Sequence, residues 1–347
     1  MAKKTTIYDI AKRLDITAAT VSRALNNNPK ISKATRELVL KTAEKMNYEQ
    51  NKLALALKSG KSNNVGVIVP RIDSNFFGSV IRGIEEELYP KGYHVIICQT
   101  QESEAKETAN IDTLLNAQVD GILISTSSNQ IKPFERIIKK NIPLIFFDRK
   151  KSMDGVSSVV INDYEGGYKA TKHLIDQGFT KIAHLCVDKT IEIYRERCKG
   201  YKQALIDSGI DIKEEYIVQA KSNREEGAKA VDTLLKLENP PKAIFSSSDF
   251  AALGAIQELK SRGYKIPNDF AVAGFSNEPF TKFMELTITT VDQSALEMGK
   301  IAANVFLEQM ENTDIKIEKK VILEPELIVR ESSLKTAPKK SKLKKVN

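Results

Sequence analysis

The first fifty residues place apolar side chains at the spacing of three short helices. Thr6-x-x-Asp9 has the form of a capping box, which would open a helix over Ile7–Leu14. Thr17 and Ser32 are residue types that commonly cap helices. We therefore expect a second helix that ends near residue 25 and a third that covers residues 33–46.

The link between the first two helices consists of Asp15 and Ile16 alone. A turn this tight often requires positive φ, and Asp is among the few residues besides Gly that adopt it readily. The three helices are expected to close a small hydrophobic core. Its predicted members are Ile10, Ala11, Leu14, Ile16, Val21, Leu25, Val39, Leu40 and Met46.

From residue 64 onward, short β-branched runs alternate with amphipathic helical stretches. A first series of strands is predicted at residues 65–69, 94–98, 121–125 and 143–147, with helices beginning near residues 76, 102 and 132. The pattern starts again near Ser158, with strands at 182–187, 216–219, 243–246 and 270–275 and helices near 164, 195, 224, 249 and 297. This α/β alternation is typical of right-handed βαβ units, so we predict two doubly wound parallel-sheet lobes.

Charge is distributed unevenly along the 347 residues, which are too many for one ordinary core. Residues 1–63 carry 13 Lys and Arg against five Asp and Glu, and residues 335–347 add six Lys and no acid. Because the whole chain has a net charge of +8, the segment between these ends carries −6. A basic head on an acidic body favours a polyanionic partner for the head.

The sequence offers no membrane segment and no catalytic or metal-binding pattern. No apolar run approaches the roughly 18 residues of a membrane helix, and no secretory signal precedes the first helix, so we expect a cytoplasmic protein. Cys98, Cys186 and Cys198 form no C-x-x-C pair, and the histidines have no ligand spacing. Phosphate-binding loops, dinucleotide-binding glycine motifs and nucleophile elbows are missing as well. We therefore expect neither an enzyme nor a metal or cofactor site.

Several motifs resemble those of LacI/GalR repressors in order and spacing. In the head they are Ile7-Tyr8-Asp9-Ile10-Ala11, TAATVSRALN at 17–26, Ser32-x-x-Thr35-Arg36 and Asn47-Tyr48-x-x-Asn51. In the body they are VGVIVP at 65–70, DGI at 120–122, GFSN at 274–277, TTVDQ at 289–293 and LIVRES at 327–332. The resemblance covers residues 5–333 and excludes the Lys-rich tail.

This resemblance implies a fold and a set of domains. The body would resemble type I periplasmic sugar-binding proteins, with two lobes joined by three crossing segments. The expected domains are a helix-turn-helix head at 1–50, a hinge helix and linker at 51–63, an effector-binding and dimerisation body at 64–334 and a disordered tail at 335–347. Some relatives form tetramers through a terminal leucine heptad, which this tail lacks, so a homodimer is expected.

The head is expected to bind double-stranded operator DNA. In a helix-turn-helix the first turns of the second helix face base edges in the major groove. The residues within reach of the bases would be Thr17, Ala18, Ala19, Ser22 and Arg23. Arg23 can pair with guanine O6 and N7, whereas the alanines offer methyl groups suited to thymine. By position in the family pattern, phosphate contacts are expected from Thr6, Tyr8, Thr20, Asn26 and Thr35. The alternative interpretation is an ordinary small surface helix.

Residues 51–58 are permissive for a helix but too short to form a stable one alone. The resemblance implies that this hinge orders on the operator, where two copies pair in the minor groove. Leu57 would be the inserted side chain and Ala54 the close contact, and Asn51 is also nominated as a DNA-binding residue. A leucine wedge unstacks a base step and bends the duplex. The alternative is a passive linker whose leucines pack on the body.

An effector is expected at the carboxyl ends of the strands, in a cleft between the lobes. Aromatic residues beside carboxylates, amides and Arg suit a sugar, because ring faces stack and hydroxyls take bidentate hydrogen bonds. The resemblance nominates Phe76, Ser125, Asp148, Arg197, Ser248, Asp249, Ser276, Asn277 and Gln293. Asp148 and Asp249 are also suited to capping turns or helices. Ser248 and Ser276 replace the Asn and Asp of lactose-type relatives, which disfavours a galactoside.

Three other functions compete with an effector-controlled regulator. A sugar-transport receptor with the same body would lack the first 60 residues and would need a signal peptide. An enzyme would need a catalytic constellation. A regulator that docks a protein corepressor, or binds a non-sugar metabolite, keeps the same head and differs in what its body recognises.

Overall fold

The computed structural model describes residues 5–49, 61–126, 128, 130–312 and 318–335. These residues belong to two compact units, Met1–Ser62 and Asn63–Asn347, which are described separately below. The predicted hinge, with Asn51, Ala54 and Leu57, and the Lys-rich tail after residue 335 lie outside the described residues.

The first unit contains the three expected helices, α1 (Ile7–Leu14), α2 (Ala18–Leu25) and α3 (Lys33–Lys45). The capping box at Thr6 is formed, because its backbone N–H donates to Asp9 Oδ2 at 2.9 Å while its side chain accepts from the backbone N–H of Asp9. Thr17 and Ser32 cap the next two helices, and Asp15 has a φ of 52° in the tight turn. The local signals of the sequence therefore predicted the helices and caps of this unit correctly.

The core of the first unit is centred on Ile10, Val21 and Val39, whose side chains are fully buried. Leu40, which we expected in this core, is 48% exposed, so that prediction is wrong. Val39 and the buried Ala43 are four residues apart and share one face of α3, whereas Leu40 lies about 100° around the helix from Val39.

The second unit contains two six-stranded sheets, one in each lobe. The first sheet has the strand order β11-β5-β4-β3-β1-β2, and all its pairs are parallel. Its strands are β1 (Asn64–Val69), β2 (His94–Gln99), β3 (Gly121–Ile124), β4 (Leu144–Phe147), β5 (Ser157–Ile161) and β11 (Lys320–Leu323). The helices that follow these strands are α4 (Asn75–Leu88), α5 (Glu104–Asn116) and α6 (Lys132–Lys139).

The second sheet has the order β12-β10-β9-β8-β6-β7, in which only the β10–β12 pair is antiparallel. Its strands are β6 (Ile182–Cys186), β7 (Ile217–Gln219), β8 (Ala243–Ser246), β9 (Ala271–Phe275), β10 (Thr289–Asp292) and β12 (Glu326–Ile328). The remaining helices are α7 (Asp163–Asp176), α8 (Glu192–Asp207), α9 (Arg224–Leu235), α10 (Asp249–Ser261), α11 (Phe280–Phe283) and α12 (Ala295–Glu311). Two buried apolar layers, one on each face of each sheet, form the cores of the lobes.

The chain crosses between the lobes at Asn162, at residues 293–294 and at residues 324–325, within the described part of the body. Our expectation that the second series begins near Ser158 is wrong, because β5 pairs with β4 in the first sheet and places Ser158 opposite Phe146. The helix expected near residue 297 also returns to the first lobe, where Phe306 of α12 packs on Tyr93 with ring centroids 5.2 Å apart. Among the residues described, no helix has both the length and the apolar character needed to cross a membrane.

Candidate functional site

The exposed face of α2 presents the residues that the sequence assigns to base contacts. Arg23 is exposed, and its guanidinium has no hydrogen bond or ion pair with any described residue. Ala19 is exposed, and Ala18 and Ser22 are half-buried. A long donor with no internal partner on this face is available to a ligand, as base readout by Arg requires.

Three of the five residues assigned to phosphate contacts, Thr6, Thr20 and Thr35, lie at helix N-termini, as does Thr17, which was assigned to a base contact. The Thr17 hydroxyl accepts from the backbone N–H of Thr20 at 3.1 Å and is 2.9 Å from the Thr20 hydroxyl. Thr35 is hydrogen-bonded to the cap of α3, and Thr6 is the cap of α1. Helix N-termini attract anions through free backbone N–H groups and the helix dipole, so these positions suit phosphates.

The other two residues assigned to phosphates differ in whether their side chains already have a partner in the protein. Tyr8 is 71% exposed on α1. Asn26 ends α2, and its side-chain amide donates to the Ser22 carbonyl oxygen at 2.8 Å. Asn26 therefore has one donor already engaged, whereas the ring of Tyr8 is open to solvent.

The body contains a cleft of about 770 Å³ that both lobes line. Its walls are formed by loops at the carboxyl ends of β1, β4, β6, β8 and β9 and by the start of α8. The cleft brings together seven of the nine residues nominated for the effector, namely Phe76, Asp148, Arg197, Ser248, Asp249, Ser276 and Gln293. Ser125 and Asn277 are not among the lining residues.

Arg197 lies in the cleft wall with only 3% of its surface exposed. Three hydrogen bonds and a ring contact hold its guanidinium. Its Nε donates to Asp163 Oδ1 at 2.8 Å, and its Nη1 donates to the Ser247 carbonyl oxygen at 3.0 Å. Its Nη2 donates to Gln293 Oε1 at 3.1 Å, and the guanidinium carbon lies 3.6 Å from the centre of the Phe275 ring. The guanidinium is therefore oriented before any ligand arrives.

The position of Arg197 depends on the close approach of α7 and α8. A Cβ atom on Gly167 would lie 2.2 Å from the backbone oxygen of Arg197, and one on Gly200 would lie 2.0 Å from the backbone oxygen of Tyr164. Only glycine fits at such a separation of two backbones. This approach places Asp163, at the start of α7, beside the guanidinium, and burial raises the pKa of its carboxyl to about 6 although Arg197 opposes that shift.

Asp148, which follows β4, is hydrogen-bonded to Ser125, which follows the neighbouring strand β3. The Ser125 hydroxyl donates to Asp148 Oδ2 at 2.8 Å, and both residues are buried. Asp148 has a φ of 58°, and burial raises the pKa of its carboxyl. Ser125 thus orients a cleft carboxylate from behind without lining the cleft itself.

The side chains of Asp249 and Asn277 are both hydrogen-bonded to neighbouring residues of the protein. Asp249 accepts from Thr290 Oγ1 at 2.7 Å and from the backbone N–H of Glu278 at 2.9 Å. The Asn277 amide donates to Asp292 at 2.6 Å and accepts from Arg330 at 2.9 Å. The chain turns sharply there, with Ser276 at a φ of 116° and Asn277 at 48°, so Ser276 lines the cleft and Asn277 lies behind it.

Further residues of the cleft had no counterpart in the motifs read from the sequence. They include Arg71, Glu102, Arg149, Tyr194, Asn223 and Glu278. Arg149 is buried and donates to Glu102 at 2.7 Å, which links the loops after β2 and β4. The available signal was position, because most of these residues follow the carboxyl ends of strands, where ligands of such sheets bind.

Comparisons with known proteins agree with this geometry. Residues 6–51 match the profile described as bacterial regulatory proteins, lacI family, and residues 62–324 match that of periplasmic binding proteins and sugar binding domain of LacI family. The HTH-type transcriptional regulator DegA of Bacillus subtilis (strain 168) is 35% identical over 333 residues, which cover 95% of this chain and 98% of DegA.

Solved structures of transcription regulators also resemble this chain. A complex of the transcriptional regulator CelR with cellobiose is 25% identical, with a TM-score of 0.72 over 95% of this chain and 100% of that one. The lac repressor dimer bound to operator and the anti-inducer ONPF shares the fold, with a TM-score of 0.86 at 21% identity over 96% of this chain and 100% of that one. The relatives are regulators rather than enzymes, and this chain is a DNA-binding transcription regulator of the LacI family.

Proposed function

We propose that this regulator is a repressor whose affinity for its operator is controlled by a small polar effector, a sugar or sugar derivative, bound between the lobes. The observation that carries the proposal is the cleft of about 770 Å³, a size typical of small-molecule sites, with seven nominated residues in its walls. Because its partner is operator DNA, the proposal places the protein in the cytoplasm.

The chemistry of the cleft supports a polyol. The oriented Arg197, the carboxylate of Asp148 and the amide of Gln293 can exchange hydrogen bonds with adjacent hydroxyls. Phe76 offers an aromatic surface for the apolar face of a sugar ring. The similar regulator CelR forms a complex with cellobiose, which supports the same class of ligand here.

The proposed switch is a change in the closure of the two lobes. The three crossings at Asn162, residues 293–294 and residues 324–325 are short, and short connections of this kind serve as hinges between domains. We infer that closure acts through residues 51–58, which take helical order only together with DNA and a second copy of the chain. Such coupling is reciprocal, so DNA must change effector affinity by the same factor.

The proposal also includes a homodimer, in which two heads read the two halves of an operator. Exposed apolar side chains on the body support self-association, among them Ile97 on the edge strand β2 at 48% exposure and Tyr89 at 68%. Light scattering of the purified protein would give its mass in solution.

The decisive experiment is a thermal-shift screen of sugars, sugar phosphates and other metabolites with the full chain. Compounds that raise the melting temperature are then tested on an operator selected by the protein from random-sequence DNA. We expect at least one such compound to change operator affinity by 5-fold to about 150-fold, the usual range of allosteric coupling. If no compound binds, or if binding leaves operator affinity unchanged, effector control is wrong.

The assignment of the site is tested by Arg197→Ala. This substitution is expected to abolish the effector response while operator binding persists, because Arg197 belongs to the body alone. Arg82→Ala is the matched control, since that arginine is exposed on α4 and forms a surface ion pair with Glu86 at 3.0 Å. Normal effector affinity in the Arg197 variant would contradict the assignment.

A further inference from the structure

Glu278 is an acid of the cleft whose charge the protein does not balance. It lies between β9 and α11, lines the cleft and is 6% exposed. Its backbone is anchored, because the N–H donates to Asp249 and the carbonyl oxygen accepts from Thr281 Oγ1 at 2.7 Å. Its carboxylate has no hydrogen bond or ion pair with any residue that the structure describes.

The charges around Glu278 increase this imbalance. Asp249 at the start of α10 is the neighbouring carboxylate, and burial together with the charge of Asp249 raises the pKa of Glu278 to about 7. The guanidinium of Arg330 donates to Thr281 Oγ1 at 2.7 Å, to Ile288 O at 2.8 Å and to Asn277 at 2.9 Å, behind the cleft. None of these hydrogen bonds goes to the carboxylate of Glu278.

The other buried acids of the body are each matched by donors. Asp163 accepts from Arg197 at 2.8 Å, Asp148 from Ser125 at 2.8 Å, and Glu107 from Thr126 at 2.8 Å. Asp249 accepts two hydrogen bonds of its own. An unmatched carboxylate that lines a cleft is costly to maintain, and the cost is recovered when a ligand supplies the missing donor.

We propose that the effector presents a protonated amino group to Glu278, and that the cleft is selective for an amino sugar or a similar aminated polyol. This inference rests on the proposed function, since it assumes that the cleft binds a small molecule. An ammonium brings several N–H donors together with a positive charge, which offsets both Glu278 and Asp249. A hydroxyl would supply a donor but no positive charge to offset the carboxylate of Glu278.

The test compares matched ligands on the full chain by calorimetry. The probes are glucosamine, galactosamine and mannosamine, each beside its neutral hexose and its N-acetylated form, which keep the ring and remove the charge. At pH 7.5, above the pKa of Glu278, we expect at least one amine to bind about 10-fold to 100-fold more tightly than both of its partners, the range for a charge-assisted hydrogen bond. Glu278→Gln should remove that preference, and Glu278→Asp should retain part of it.

The control is Glu285→Gln, which removes an exposed acid from the same lobe and should leave the preference intact. Melting temperatures of all variants without ligand establish that each is folded. The inference is overturned if neutral sugars bind as tightly as amines, if no amine binds, or if Glu278→Gln keeps the preference. Those results would leave the proposed function standing as long as another metabolite binds the cleft and alters operator affinity.

Discussion

Removing either partner of the buried Asp163–Arg197 pair should destabilise the body, but by unequal amounts. The two side chains are 6% and 3% exposed and are joined at 2.8 Å. A guanidinium keeps its charge in a protein, whereas a carboxyl can become neutral by taking up a proton. The loss of Asp163 therefore leaves a buried charge that cannot be discharged, and the loss of Arg197 does not.

The structure sets the expected magnitudes. Asp163→Asn leaves Arg197 with an uncompensated charge in a buried site, which typically costs about 3–5 kcal/mol. In Arg197→Met, Asp163 can be neutralised, because burial already raises the pKa of its carboxyl to about 6 and the loss of Arg197 raises it further. The remaining cost is that of the hydrogen bonds to Ser247 and Gln293, about 1–3 kcal/mol in total.

The pH dependence has a defined sign. Because the pKa of Asp163 is raised in the folded state from 3.8 to about 6, the folded protein binds this proton more tightly than the unfolded chain. The contribution of Asp163 to stability is therefore greatest below pH 4 and falls as the pH rises to about 6. In Arg197→Met the decline should continue above pH 6, at up to about 1.4 kcal/mol per pH unit.

The assay is urea unfolding of the full chain followed by circular dichroism, at pH 5.5, 6.5 and 7.5. Arg82→Met is the control, because that exposed ion pair with Glu86 should contribute less than about 1 kcal/mol. Equal destabilisation of the Asp163 and Arg197 variants at pH 6.5, or an Arg197→Met stability that does not fall toward pH 7.5, would refute the reasoning.

Three other predictions concern the head, the hinge and the body. Arg23→Ala should weaken operator binding by about 1–3 kcal/mol and relax preference at one base pair, as seen in electrophoretic binding assays with substituted operators. Leu57→Ala should reduce DNA bending and specific affinity while effector affinity without DNA stays unchanged; parental DNA bending in this variant would mean a passive hinge. Gly200→Ala, whose Cβ would meet a backbone oxygen at 2.0 Å, should lower both the melting temperature and effector affinity, whereas Gly78→Ala, with nothing within 4 Å, should slightly stabilise. Unaltered effector binding in the first of these glycine variants would contradict the role given to the α7–α8 approach.

The local structure of the head could be predicted from sequence because each signal acts within a few residues. Thr6 and Asp9 satisfy each other across one helical turn, and Asp15 adopts the left-handed conformation that the short turn demands. The exposure of Leu40 could not be predicted in this way. Which face of α3 is buried depends on how the three helices pack, and apolar character alone does not decide it.

Local alternation also predicted two lobes of βαβ units, but it did not determine which lobe each element joins. The segments β5 and α12 lie within the second series of the sequence pattern yet belong to the first lobe, because pairing with β4 and packing on Tyr93 bring them there. Periodicity reports the face that is buried and not the partner that buries it.

The sequence by itself therefore determined the capped helices, the alternation of strands and helices and the motifs that identify the family. Only the tertiary structure decided which nominated side chains share a cleft, because a turn at Ser276 sends Asn277 behind it and Ser125 supports Asp148 from below the surface. It also revealed Glu278, which no motif includes. Whether a buried carboxylate has a partner depends on side chains brought together from distant segments, and that information exists only once the chain is folded.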